Sequence, residues 1–501
     1  MRCKQIVQIT RHWRVEREAI SIFLNRNHSL FLRNFFEVNT MTKQKHILLI
    51  PAVIATGMMS FAGVLIETAM NVTFPTLINQ FQLTTAQVQW VTTIYLLMIS
   101  IIVPLSTYLT KNFSIRSLFL LSNLLFLAGI IVDFFSPTFL ILLLGRLLQG
   151  AATGIALPLM FHIILTFAPM NRRGAMMGVG TLTTAIAPAI GPTYGGILTS
   201  NFTWNHIFLF LIPVLLLSLV IGLVAIPTIP VKKSGRLDLS SVLGLCLLFS
   251  GSLTFLSMLG TTVGWLALVI AIIGCFIFYR RTQKAAYPLI QLTIFHNKTS
   301  RLFLFSFLIY QFLLLGISFV LPNFIQIVQG SSPFIAGIAM LPGAAVGALL
   351  SPFSGKLLDQ YGPKKPILAG LLLALIGWSA LVLLIGHVSL LFLVLCHVIY
   401  MVGIGLSYSN MMTTGMNALQ ADAQSDGNAV FNTLQQFSGA VATSLVAIII
   451  NLIQDHTTLN YRDATTLGSK VALGVLLFLL IISFIQFIQY SLAKKESMIS
   501  L

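Results

Sequence analysis

The chain has 501 residues, of which 57% are hydrophobic and only 8% are charged, and its formal net charge is +17. A soluble domain carries about 25% charged residues because it must cover its core with a polar surface, so this composition excludes one. The Lys and Arg residues form short clusters between apolar runs. That distribution is typical of membrane-protein loops and argues against a basic nucleic-acid-binding face.

Residues 1–46 are rich in Arg, and their apolar stretch at 20–24 is too short for the core of a signal peptide. Two interpretations stay open. The natural chain starts at Met41, or these residues form a basic cytoplasmic arm that lies on anionic lipid. The first is favoured, and N-terminal sequencing of the native protein would decide between them.

Apolar runs of about 20 residues, the length that crosses a hydrocarbon core of ~30 Å, predict fourteen spanning helices. The loops expected in the cytoplasm hold most of the Lys and Arg residues, whereas the opposite loops hold only Arg462 and Lys470. The positive-inside rule therefore predicts that both termini are cytoplasmic. The loop near 414–428, which has no cation, is the exception. The predicted spans are 47–75, 88–110, 117–133, 138–167, 174–199, 206–227, 239–259, 262–279, 302–328, 334–354, 366–386, 389–413, 429–450 and 469–491.

An internal repeat divides these helices into two halves. The segment PLSTYLTKNFSIR (104–116) aligns with PFSGKLLDQYGPK (352–364) at an offset of 352 − 104 = 248 residues. Two parallel six-helix halves are typical of transporters that rock around a site near the bilayer midplane. The predicted parts are a six-helix half (47–230), two inserted helices (231–285), a second six-helix half (286–491) and a cytoplasmic tail (492–501).

Three segments carry recognisable motifs in chain order: IETAMNVTFP (66–75), LLLGRLLQGAATG (142–154) and APAIGPTYGGIL (187–198). With them, residues 47–491 resemble the major facilitator superfamily, in particular its fourteen-span drug:proton antiporters of the EmrB/QacA type. The resemblance implies an all-α membrane fold and a transporter of the cytoplasmic membrane rather than an enzyme. It also implies export of small lipophilic or cationic drugs, driven by the proton motive force without a cofactor.

Glu67 and Arg146 are the predicted proton-coupling pair. An ionisable group inside a spanning helix is expensive and therefore marks a functional site. Counted from Pro75 and from Thr138, both residues lie ~12 Å from the same end of the bundle. A carboxylate whose contact with Arg146 changes as the halves rock would bind and release a proton in step with that motion. The alternatives are an acid in the headgroup layer for Glu67 and a static packing role for Arg146.

The fifth predicted helix contains a string of small and cyclic residues: Pro188, Gly191, Pro192, Gly195 and Gly196. Pro removes a backbone hydrogen bond and Gly permits close helix approach, which predicts a bend at a tight contact. The string is either a hinge or seal that controls exchange or plain close packing, and the family resemblance favours the seal.

The family resemblance also implies a cytoplasmic gate in the loop after the second helix of each half. The first copy has Thr107, Lys111 and Ser114 where the family pattern has Gly and Asp. The second copy keeps the pattern, so the gate is expected there. Its residues are Gly355, Asp359, Gly362, Lys364 and Lys365.

Asn71, Tyr95 and Gln149 are predicted to line a cavity for lipophilic cations, partly through an aromatic face. Asp133, just before Pro137, is expected to be a solvated boundary residue. His162 and His397 are expected to be neutral imidazoles bonded to neighbours. The cysteines have no metal-ligand spacing, so no metal site is predicted.

Three functions remain open from the sequence. The first is proton-coupled multidrug efflux, and the second is export of one endogenous metabolite or peptide on the same fold. The third is a membrane sensor that uses a transporter scaffold without transport. No GxxxxGK[ST] segment occurs, which argues against direct energisation by ATP. Small-molecule substrates, protons and lipid are the expected partners, no nucleic acid is expected, and the oligomeric state is left open.

Overall fold

The computed structural model describes residues 47–229, 231, 237–284, 295–420 and 423–499. Apart from Ile47, these residues belong to one compact unit, Leu48–Leu501. Within the described ranges the regular structure is helical. The predicted N-terminal arm, including Met41, lies outside the described residues.

Six long helices form the first half. They are α1 (Leu49–Phe81), α2 (Thr85–Leu105), α3 (Ile115–Phe134), α4 (Phe139–Phe167), α5 (Met170–Asn201) and α6 (His206–Ala225). A short helix, Ser106–Asn112, joins α2 to α3. Two further helices, α7 (Leu239–Ser257) and α8 (Thr262–Lys284), follow the first half.

The second half repeats the six-helix pattern. Its helices are α9 (Lys298–Ile327), α10 (Pro333–Tyr361), α11 (Lys364–Leu384), α12 (Leu390–Asn417), α13 (Gln424–His456) and α14 (Tyr461–Ile499). The repeated segment covers the end of the second helix, the connection and the start of the third helix in both halves, at 104–116 and 352–364, so it joins these helices as predicted.

Thirteen of these helices are long and apolar enough to cross a membrane, judged by length and composition within the described residues. The remaining one is α5, which has 32 residues rich in Gly, Thr and Pro and carries Arg172 and Arg173 in its first turn. It packs along both α1 and α10. Its length of ~48 Å, at 1.5 Å per residue, is ample for a span. α5 occupies the place of the fifth predicted span, and its crossing of the membrane as the fourteenth span stays a prediction.

Several helix ends differ from the sequence prediction, those of α1 and α14 among them. α1 continues six residues beyond Pro75 to Phe81, because a proline removes only one backbone hydrogen bond and membrane helices tolerate that loss. α14 starts at Tyr461 and continues to Ile499, so the predicted tail at 492–501 begins inside a helix.

The halves meet along three main helix pairs, α1 with α9, α2 with α13, and α5 with α10, and α1 also contacts α10. The inserted helices α7 and α8 pack on each other through Gly244 and Gly274, whose missing side chains allow close backbone approach. α7 also contacts α2 and α13, and Phe249 stacks on Phe437 of α13 with ring centroids 4.2 Å apart. The insertion therefore lies beside the α2–α13 seam.

The hydrogen bonds that join the halves among the described residues lie toward the side of the bundle that carries the α1–α2 loop, here called the α1–α2 end. These bonds close the two halves against each other at that end. They are Asn71 Nδ2 to Ser318 Oγ (2.7 Å), Thr85 Oγ1 to Gln454 Oε1 (2.9 Å), Thr93 Oγ1 with Ser444 Oγ (3.2 Å), Thr193 Oγ1 to the Gly337 carbonyl (3.1 Å), Gln326 Nε2 to the Val72 carbonyl (2.9 Å), the Phe334 amide to Ser200 Oγ (3.0 Å) and Ser444 Oγ to Gln89 Oε1 (3.4 Å).

Candidate functional site

Three charged side chains are buried in the described part of the chain. Glu67 on α1 is 6% exposed, and Asp133 on α3 and Arg146 on α4 are 0% exposed. All three belong to the first half. Ionisable groups in the membrane interior are costly, so their collection on three neighbouring helices marks this region as the candidate functional site.

Arg146 is held by contacts on several sides. Its Nε donates to the Val91 carbonyl at 3.0 Å, and its Nη1 donates to Gln149 Oε1 at 2.8 Å. Its guanidinium carbon lies 4.2 Å from the centroid of the Tyr95 ring, a cation–π contact. Nη2 is buried and has no hydrogen-bond partner in the part of the chain that the structure describes. The guanidinium is thus fixed in place but keeps the Nη2 amino group available to an acceptor.

Tyr95 of α2 ties that helix to α1 and α4. Its hydroxyl donates to the Gly63 carbonyl at 2.8 Å and shares a hydrogen bond of 2.7 Å with Thr153 Oγ1. A Cβ at Gly150 would lie 2.6 Å from the Tyr95 carbonyl oxygen, so only glycine allows α4 to approach α2 this closely. The small residues of the fourth-helix motif therefore position the aromatic face under Arg146.

Glu67 lies near the middle of α1, fourteen residues before the end of the helix at Phe81. The ~12 Å depth predicted from Pro75 was too small because α1 does not end there, and fourteen residues correspond to ~21 Å. The headgroup-layer alternative is therefore wrong. The charge of Glu67 acts on Arg146, although the two form no ion pair within 4.0 Å, and its carboxyl makes no hydrogen bond to described residues.

Asp133 is not the solvated boundary residue that the sequence favoured. Its carboxyl is buried, Oδ2 accepts a hydrogen bond of 2.8 Å from Gln149 Nε2, and Oδ1 has no partner among the described side chains and backbone. A Cβ at Gly145 would collide with Oδ1, so the glycine lets the carboxyl reach α4. Gln149 thereby connects Asp133 to Arg146. The sequence places Asp133 in the last turn of α3 but does not show which way its side chain points. The prediction of a solvated residue was wrong for that reason.

The three predicted cavity residues, Asn71, Tyr95 and Gln149, are all 0% exposed in this conformation. Tyr95 and Gln149 belong to the arginine network. Asn71 lies at the junction of the halves, where Ser318 accepts from its amide and Thr92 donates to its Oδ1 at 3.0 Å. Contact of these residues with cargo stays a prediction.

The small residues of α5 lie in two tight contacts. A Cβ at Gly191 would collide with Thr68, and one at Gly195 with the Ala69 carbonyl, both on α1. A Cβ at Gly196 would collide with the Pro333 carbonyl on α10 of the other half. Both prolines, Pro188 and Pro192, lie inside the helix. The segment thus packs closely on two sides, as a seal requires, and control of exchange by it stays a prediction.

The predicted gate residues lie at the end of α10 and the start of α11. Gly362 terminates α10 with a left-handed φ of +70°, and Asp359 is exposed. Lys364 Nζ donates to the Ser491 carbonyl of α14 at 2.8 Å, and Lys365 Nζ lies 5.2 Å from the Tyr361 ring centroid. A Cβ at Gly355 would meet open space. These contacts stay within the second half, and a gating role is a prediction.

A polar and aromatic cluster in the second half was missed by the sequence reading. Tyr408 of α12 donates to Gln311 Oε1 of α9 at 2.6 Å and accepts from Gln435 Nε2 of α13 at 2.7 Å. Phe307 stacks on Tyr408 with ring centroids 4.6 Å apart. The charge of Glu67 also acts on Tyr408 across the halves. The Phe307–Gln311 spacing of one helical turn was the available signal.

His397 also differs from its expectation. It is 1% exposed and packs against Gly343, but its Nδ1 has no hydrogen-bond partner within the described ranges. His162 is half-buried.

The sequence model of the Major Facilitator Superfamily matches residues 56–443. Lincomycin resistance protein LmrB of Listeria monocytogenes is 34% identical over 408 residues, which is 80% of this chain and 86% of LmrB. LmrB of Bacillus subtilis is 31% identical over 436 residues, 85% and 91% of the two chains. The chain therefore belongs to the Major Facilitator Superfamily of membrane transporters, and the predicted family and fold are confirmed.

Two further similarities extend this relationship. The multidrug resistance protein B homolog of Mycobacterium tuberculosis is 26% identical over 419 residues, 81% of this chain and 76% of that protein. Among solved structures, a bacterial homolog of the human lysosomal transporter Spinster, in an inward-facing and unoccupied conformation, gives a TM-score of 0.63 at 15% identity. It covers 87% of this chain and 95% of the other. At 15% identity, the similarity to the Spinster homolog supports the fold alone.

Proposed function

We propose that this protein is a proton-coupled antiporter that exports small lipophilic or cationic drugs across the cytoplasmic membrane. The observation that carries the proposal is the buried carboxyl of Glu67, which lies within electrostatic reach of Arg146 without a hydrogen bond to any described residue. A carboxyl in that setting is free to exchange a proton or to face a cation. Relatives named for lincomycin and multidrug resistance support the same activity.

In the predicted orientation both termini are cytoplasmic and the α1–α2 end faces outside. The closed α1–α2 end then blocks access from outside, as required of the inward-facing state in which cargo would enter from the cytoplasm. Opening that end requires the junction of Asn71 with Ser318 to break, together with the α5–α10 contact. α1 carries Glu67 and also contacts α9 of the other half. The movement of the halves is therefore linked mechanically to the surroundings of the carboxyl.

The exchange cycle follows from charge. Ionised Glu67 favours a cationic cargo in the inward-facing state, and protonation from outside removes that charge and releases the cargo. The protein then returns to the inward-facing state with the proton bound to the neutral carboxyl. The Tyr408 cluster offers the opposite wall, since its stacked ring and amide groups suit planar, hydrogen-bonding cargo. The alternative, export of one endogenous compound, uses the same cycle and differs in cargo.

The test is drug susceptibility and dye efflux in a host that lacks its own pumps. The wild-type protein is expected to lower susceptibility to lincomycin and to expel ethidium, and a proton uncoupler is expected to abolish both effects. Glu67→Gln should lose efflux while the folded protein remains in the membrane. Asp455→Asn, at an exposed acid near the end of α13, serves as the matched control and should behave like the wild type. Efflux that persists with the uncoupler would refute antiport, and a lack of any drug phenotype would favour the endogenous cargo.

A further inference from the structure

The buried charges of the first half do not balance. Among the described residues, one buried cation, Arg146, is accompanied by two buried carboxyl groups, Glu67 and Asp133. With all three ionised the cluster carries a net charge of −1, and it becomes neutral only when one carboxyl holds a proton. An uncompensated charge in a low-dielectric interior is unfavourable. One of the two carboxyl groups is therefore expected to be a fixed anion, and the other is expected to carry the proton.

Asp133 has the environment of the fixed anion. An arginine side chain only donates hydrogen bonds, so the Gln149 amide must present its oxygen to Arg146 and its N–H group to Asp133. The orientation of this amide makes Asp133 an acceptor. The carboxyl is fully enclosed, and Gly145 leaves just enough room for it against α4. It has no exposed surface through which a proton could exchange in this conformation.

Glu67 has the environment of the carrier. It retains some exposed surface, its carboxyl makes no hydrogen bond to described residues, and it lies on a helix that contacts the other half. Arg146 Nη2 has no partner among the described residues, so the guanidinium has capacity to contact a carboxylate directly. Arg146 can thus interact with both acids, with Asp133 in every state and with Glu67 only while Glu67 is ionised.

We infer that Asp133 is the fixed counter-ion of Arg146, acting through Gln149, and that it leaves Glu67 free to gain and lose the transported proton. This inference rests on the proposed proton coupling at Glu67. With Asp133 ionised, Arg146 stays neutralised while Glu67 is protonated. Without it, Arg146 has Glu67 as its sole buried anion and holds that carboxyl in the ionised form. Asp133 is a positioning residue, because it acts through Gln149 and Arg146.

The other titratable groups near these acids do not supply a competing negative charge. Among the described side chains, Tyr95 and Tyr408 face Glu67, and phenols are neutral near pH 7. On the side of α3 that packs on α6, His206 contacts the ring of Phe134 next to Asp133, and its Nδ1 is bonded to Thr203. A histidine is neutral or cationic and cannot replace the carboxylate.

The test is the pH dependence of ethidium binding to purified protein in lipid nanodiscs, followed by dye fluorescence. Asp133→Asn keeps the shape of the side chain and removes its charge. The midpoint of the binding curve should move to lower pH by about one unit, the size of shift that a neighbouring opposite charge produces. Gln149→Leu should move it in the same direction. Asp455→Asn should leave it unchanged, and Glu67→Gln, alone or with Asp133→Asn, should remove the pH dependence.

Each outcome separates the two proposals. A folded Asp133→Asn protein with the wild-type midpoint overturns the counter-ion role but leaves proton coupling at Glu67 intact. The counter-ion role is also overturned by a second pair of results: Asp133→Asn does not fold, and a folded Gln149→Leu protein titrates like the wild type. In that case Asp133 would contribute to stability alone. Binding by the wild-type and Glu67→Gln proteins that is equally independent of pH overturns both proposals.

Discussion

Gly196→Ala should shift the protein away from the conformation that is closed at the α1–α2 end. The added Cβ would collide with the Pro333 carbonyl and would also lie 3.1 Å from the Pro333 carbonyl carbon and 3.2 Å from Phe334 Cα. All three atoms belong to the backbone, so no side chain can rotate away. Ser200 holds the same segment through the Phe334 amide.

Overpacking of this kind costs about 1–3 kcal/mol. The strain exists only while α5 and α10 are in contact, so it acts on the closed state and is relieved when the end opens. A differential free energy of about 1–3 kcal/mol corresponds to a shift of about 5- to 150-fold in the ratio of closed to open protein. Stability of the separate halves should change little.

The measurement is the distance distribution between spin labels on Gln82 and Thr458, two exposed residues at the α1–α2 end of the two halves, in protein lacking its native cysteines. Gly196→Ala should increase the long-distance population. Gly474→Ala is the matched control, since a Cβ there meets open space and the substitution suits a helix. Equal distributions in the wild-type and Gly196→Ala proteins would refute the reasoning that this backbone contact sets the balance between states.

Two further substitutions probe single buried hydrogen bonds. Trp378→Phe removes the bond of 2.9 Å from Nε1 to the Leu473 carbonyl and should lower the free energy of unfolding by about 1–3 kcal/mol, measured by thermal unfolding in detergent. An unchanged unfolding temperature would contradict this. Asn71→Ala removes the bonds to Ser318 and Thr92, and because one of them joins the halves, it should loosen the α1–α2 end in the same label experiment. A distribution identical to that of the wild type would show that the bond is dispensable for closure.

The sequence predicted the helices better than the site because a spanning helix depends on local sequence, whereas the site depends on how distant helices pack together. A spanning helix is fixed by a local property, the length of an apolar run against the thickness of the hydrocarbon core. Fourteen helices were therefore found at the predicted places. Where a run contains a proline, local signals mislead: α1 continues past Pro75 because neighbouring helices surround it.

The site depends on which helix faces lie together. Glu67 and Arg146 were identified because a charge in an apolar run is conspicuous wherever it points. Asp133 was misread because its position near a helix end fits both a solvated and a buried side chain, and only the packing of α3 on α4 decides between them. Tyr408 was missed because Tyr and Gln are common in membrane helices, and its partners come from α9 and α13.

The inserted pair α7–α8 has a consequence for handling the protein outside a membrane. The main protein neighbour of α8 is α7, and in its most apolar window only 28% of the residues are buried by protein, against 78% for α9. Most of what α8 packs against in its natural setting is therefore acyl chain, which a detergent removes during extraction. Solubilised protein is expected to lose order first at this pair, and long-chain detergents or retained native lipid should preserve it best.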